Sequence, residues 1–144
     1  MEKLIFNRIF YVSIIAWLIA QTIKLILDFK KNKKLNFRVF VGTGGMPSAH
    51  TAIVSALSTA VGLKNGFGST EFAITAVISL IIMTDAAGVR RSVGRQASAL
   101  NKIISEMNKQ GYVETETVKE LLGHTPVEVF IGAIVGILTT LIFY

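Results

Sequence analysis

The chain has 144 residues, of which 51% are hydrophobic, and carries a formal net charge of +6. Its mean hydropathy of +0.57, gathered into long uncharged blocks, argues against a soluble domain. It contains no cysteine and only two histidines, which excludes disulfides, thiol nucleophiles and a histidine-rich metal cluster.

Residues 9–27 hold a single charge, Lys24, and are long enough for a first membrane helix over about 6–28. No small-residue cleavage site follows, so the segment reads as a retained helix and not as a signal peptide. A lysine-rich turn comes next, with Lys30, Lys31, Lys33, Lys34 and Arg38. Gly44-Gly45-Met46-Pro47-Ser48-Ala49-His50 then opens a second apolar segment, 48–64, rich in Ser, Thr and Ala. Such small residues suit close helix contact inside a bundle. Asn65-Gly66-Phe67-Gly68-Ser69 reads as a turn, and 70–88 reads as a third span ending near Asp85. Between 89 and 123 lies a polar insert. Its first part is amphipathic, with Val93, Ala97, Leu100, Ile104 and Met107 at helical spacing. This part suits the membrane surface or the end of the bundle equally. A short helix is expected over 114–122, closed by Gly123. The fourth span is 125–144.

The expected fold is therefore an all-α integral membrane bundle of about four transmembrane helices, forming one domain over 1–144 with an insert at 89–123. Eleven of the fifteen Lys and Arg residues fall in the two loops 30–38 and 90–119. The positive-inside rule places those loops in the cytoplasm and both termini outside, for a multi-pass protein of the cell (inner) membrane. The basic charge flanks membrane segments, which argues for anionic lipid as its partner and against nucleic acid.

This topology brings several chemistry-bearing residues to one end. Gly44, Gly45 and Ser48 sit at a helix start, where converging N–H groups favour an anion. His50 follows them. Arg90 and Arg91 follow the third span, His124 precedes the fourth, and Lys24 lies near the inner end of the first. Cations that offset phosphoryl charge, together with two histidines, suit metal-free phosphomonoester hydrolysis without a cofactor. Structural readings stand beside the functional ones. Thr125-Pro126-Val127-Glu128 is a capping box in its own right. Arg90 and Arg91 suit headgroup anchoring, Asp85 suits an ion pair with one of them, and Lys24 suits snorkelling to the interface.

Pro47-Ser48-Ala49-His50 and His124-x3-Glu128, with Arg90 or Arg91 between them, resemble the divergent branch of the type 2 phosphatidic acid phosphatase superfamily. Ala49 stands where the usual pattern has Gly, and Glu128 where it has Asp. The resemblance implies His124 as nucleophile, Glu128 as its orienting carboxylate and His50 as general acid. It assigns phosphate binding to Ser48, Gly44, Gly45, Arg90, Arg91 and Lys24. The expected substrate is a lipid phosphate such as phosphatidylglycerol phosphate, cleaved at the cytoplasmic leaflet through a phosphohistidine. Six helices are common in that superfamily, so a homodimer would complete a four-span bundle. The competing expectation is a non-catalytic protein that binds anionic headgroups or serves as an assembly subunit.

Overall fold

The computed structural model describes residues 7–33, 45–109, 118 and 123–144, apart from the side chains of Arg90 and Arg91. Gly44, the short helix expected over 114–122 and the basic residues Lys34, Arg38 and Lys119 lie outside the described residues. Among the described residues there is no strand. Five helices follow in order: α1 Arg8–Asn32, α2 Ala49–Asn65, α3 Thr70–Ala87, α4 Val89–Lys109 and α5 Pro126–Phe143.

Local chemistry sets the helix ends. The Asn7 side chain accepts from the Ile9 N–H at 3.1 Å and starts α1. Lys33, with φ of 55°, ends it in the left-handed region. Ser69 caps α3 by accepting from the Phe72 N–H at 3.2 Å. Thr125 caps α5 in a reciprocal capping box with Glu128, and Pro126 occupies the first turn.

Among the described residues, three stretches are long and apolar enough to cross a membrane: α1, the α3–α4 run and α5. α2 is shorter and more polar, and its place in the bundle explains why. It packs against α1, α3 and α5 and buries Ala52, Ser55, Ala56, Ser58 and Ala60. A helix shielded from lipid by three others needs small side chains more than apolar ones. The outer helices carry the opposite pattern. Ile74, Val77, Leu80 and Ile81 of α3, and Phe130, Leu141 and Ile142 of α5, are exposed. These are the surfaces expected to meet acyl chains.

α2 and α5 approach with almost no side chain between them. A Cβ built on Gly132 would lie 2.5 Å from the Ser48 carbonyl oxygen and 3.0 Å from Thr51 Cβ. One on Gly136 would collide with the Ala52 carbonyl oxygen. Gly132 and Gly136 therefore form a small-xxx-small seam that lets the two backbones touch. Further along it, Thr140 Oγ1 donates to the Ala56 carbonyl at 3.2 Å. On the other side of α2, Ser79 Oγ donates to the Val54 carbonyl at 3.0 Å.

Candidate functional site

The seam sets the register of α2 on α5, and the register brings the two helix starts together. The Ser48 N–H donates to the Glu128 carbonyl at 3.0 Å. The start of α2 is thus tied to the first turn of α5. A second tie comes from α3: the His124 N–H donates to the Ala86 carbonyl at 3.1 Å. Backbone groups of three helices therefore converge on the residues flanking His124.

His124 is buried, with 2% of its surface exposed. Its Nδ1 lies 3.1 Å from Glu128 Oε2. The same carboxylate oxygen accepts from the Thr125 N–H at 3.0 Å. One oxygen thus serves the helix cap and orients the imidazole at once. The two readings of Glu128, cap and ring partner, describe one geometry. Glu128 thus engages Nδ1 of the ring, which bears on the tautomer and so on Nε2.

His50 is exposed, one residue into α2 from its cap-adjacent start. Its ring centroid is 6.4 Å from that of His124, with the planes at 64°. Two imidazoles at this spacing can address one small group from two sides. Ser48 is fully buried. Its Oγ accepts from the Thr51 N–H at 3.4 Å and lies 3.1 Å from Thr51 Oγ1. Gly45 has φ of +87°, a conformation that favours glycine. It packs over the Lys24 stem, whose Cγ and Cδ lie 3.5 Å from where a Gly45 Cβ would sit. Lys24 is buried, and its charge lies within Coulombic range of Glu128. Lys24, Gly45, Ser48, His50, His124 and Glu128 therefore gather at one end of the bundle. Arg90 and Arg91 lie in the first turn of α4, just beyond the same end, and their side chains are outside the described residues. Asp85 is half-buried near the end of α3.

Beside this cluster, an apolar groove of about 340 Å³ opens between α3 and α5. Leu80, Met83, Ala87, Pro126, Phe130 and Ala133 line it. Thr84 also borders it, with a hydroxyl turned back to the Leu80 and Ile81 carbonyls at 2.9 Å. The wall therefore offers no spare donor there. Pro126 and Ala87 sit beside residues that hold His124, so the inner end of the groove adjoins the site.

Sequence reasoning did not single out Thr51, the Ala86 carbonyl or the Gly132-Gly136 seam. The seam had a sequence signal, a Gly-x-x-x-Gly in an apolar helix. The Ala86 carbonyl had none, because backbone groups leave no trace in composition.

A family model described as "Divergent PAP2 family" matches residues 5–139. The chain is 42% identical over 141 residues to the uncharacterized membrane protein YuiD of Bacillus subtilis (strain 168), covering 90% of this chain and 89% of that protein. No solved structure matches.

Proposed function

The chain belongs to the divergent PAP2 family, and from that premise we propose that it is a membrane phosphatase acting on a lipid phosphomonoester. In this reading α2 is a fourth span, the site faces the cytoplasm, and the membrane is the bacterial inner membrane. The observation that carries the reading is the His124–Glu128 pair at 3.1 Å with the His50 ring across from it at 6.4 Å. The apolar groove beside that pair supports a substrate with a hydrocarbon tail.

His124 Nε2 attacks phosphorus, and the bond to the lipid alkoxide breaks. His50 protonates the departing alkoxide, which leaves as an alcohol. Glu128 stabilises the positive charge that develops on the His124 ring and holds its tautomer. Water then attacks the phosphohistidine, with His50 taking its proton, and inorganic phosphate leaves. Ser48 accepts from Thr51, which leaves its own hydroxyl proton to donate to a phosphoryl oxygen. Gly44 and Gly45 supply backbone N–H groups at the start of α2. Lys24, Arg90 and Arg91 offset the charge of the equatorial oxygens.

The test is phosphate release by purified protein, in the presence of a chelator, from phosphatidylglycerol phosphate, phosphatidic acid, a polyprenyl phosphate and a soluble phosphomonoester. Chelator-resistant turnover that favours the lipids is the expected result. Tight binding of the same lipids with no turnover of any would make this a headgroup-binding protein instead.

Glu128→Gln separates the two duties of that carboxylate. Glutamine keeps an acceptor for the Thr125 N–H and loses the charge facing His124. A hydrogen bond to a charged group contributes about 1.5–3 kcal/mol, so kcat should fall about tenfold to a hundredfold. The melting temperature should stay close to that of the parent. Glu128→Ala should lower both, since losing a cap costs roughly 0.5–2 kcal/mol. Unchanged kcat in Glu128→Gln would reduce Glu128 to a helix cap.

A further inference from the structure

α4 carries an apolar stripe that is open among the described residues. Val89, Val93, Leu100, Ile103 and Met107 recur at intervals of four, seven, three and four residues, which is one face of a helix. Each is at least 39% exposed, and Val89 and Ile103 are more than half exposed. An adjacent face is already occupied. Asn101 clamps the backbone of Val118, donating from Nδ2 to its carbonyl at 2.8 Å and accepting its N–H at 2.7 Å. Ala97, on that side, is buried. The clamp takes up that neighbouring side of α4 and leaves the stripe exposed.

We propose that α4 is an interfacial helix whose stripe lies in the headgroup boundary of the anionic leaflet at the site end of the bundle. This rests on the family's membrane setting and not on phosphatase activity. Two observations select the bilayer as occupant. First, α4 begins one residue after α3 ends, and α3 presents Leu80 and Ile81 outward in its last turns. The stripe is therefore continuous with a lipid-facing surface and starts where that surface meets the headgroups. Second, the side of the helix away from the stripe carries Arg95, Lys102 and Lys109, all exposed, against Glu106 as the acid among them. Anionic lipid complements that charge. An apolar stripe on a helix of low overall hydropathy, with Lys and Arg on its polar face, is the pattern of helices that lie in the interface plane.

The chain has no cysteine, so single labels can be placed at will. Nitroxides on Val93→Cys, Leu100→Cys, Ile103→Cys and Ser105→Cys would be read in nanodiscs of phosphatidylcholine and phosphatidylglycerol. Collision with oxygen reports the acyl region, and collision with a water-soluble nickel chelate reports solvent. The expected result is an oxygen-to-nickel ratio several-fold higher at 93, 100 and 103 than at 105. Ratios equal to that of Ser105→Cys would put the stripe in water and overturn the proposal. Shielding from both reagents, with efficient oxidative cross-linking of Leu100→Cys between copies, would overturn it in favour of a second copy. Three independent stripe positions keep the test valid if one variant fails to fold.

Discussion

If His124 is the nucleophile of the proposed reaction, His124→Ala should lower phosphate release by on the order of a thousandfold or more, the scale of removing a nucleophile from a site whose groups act as a unit. The variant should still bind lipid phosphate, because Lys24, Ser48 and the start of α2 do not depend on the imidazole. Rapid quenching with a labelled substrate should find an acid-labile phosphoryl adduct in the parent and none in His124→Ala. His50→Ala behaves differently. Loss of a general acid costs about 10²–10⁴-fold, but only where the leaving group needs a proton. With p-nitrophenyl phosphate the first step should survive in His50→Ala, and the adduct should accumulate because water then lacks its base. Turnover untouched in His124→Ala would sink the mechanism even if the protein hydrolyses lipid phosphates.

The second large effect lies away from the chemistry. Gly132→Ala places a methyl group 2.5 Å from the Ser48 carbonyl oxygen, so α2 must lift from α5 or slide along it. Overpacking of this kind costs about 1–3 kcal/mol, and a larger side chain costs more. The atoms that must move belong to the residue that caps α2 and donates to the Glu128 carbonyl. Gly132→Ala should therefore lower both the melting temperature in detergent and kcat. Gly136→Ala, one turn further from the site, should lower the melting temperature comparably and kcat less. Parent-like melting in Gly132→Leu would mean that the seam does not hold the bundle.

Much of this was legible from residue types. Pro47-Ser48-Ala49-His50 and His124-x3-Glu128 marked the family across an insert of more than thirty residues. The Ser, Thr and Ala content of α2 pointed to close helix contact, and its burial among three helices accounts for that content. The double duty of Glu128 was not legible. The capping-box spacing, with its acceptor at the third helical position, and the four-residue spacing that pairs His124 with Glu128 end on the same residue. Sequence therefore presents two explanations where geometry has one. Nor could the spacing say that His50 and His124 meet. That depends on the register between α2 and α5, which two glycines and a backbone hydrogen bond set. The Asn101–Val118 clamp was hidden for a similar reason, since one of its partners is main chain.

α3 buries only Ser79 and Ala86. Its outward face, with Ile74, Val77, Ile78, Leu80 and Ile81, is exposed, so its tilt answers to bilayer thickness as well as to its protein neighbours. Ala86 is also the residue whose carbonyl holds the His124 backbone. The segment that carries His124 is thereby fastened to a helix with a broad exposed apolar face. A change of acyl-chain length in the host membrane that tilted α3 would therefore reach His124 through that main-chain hydrogen bond.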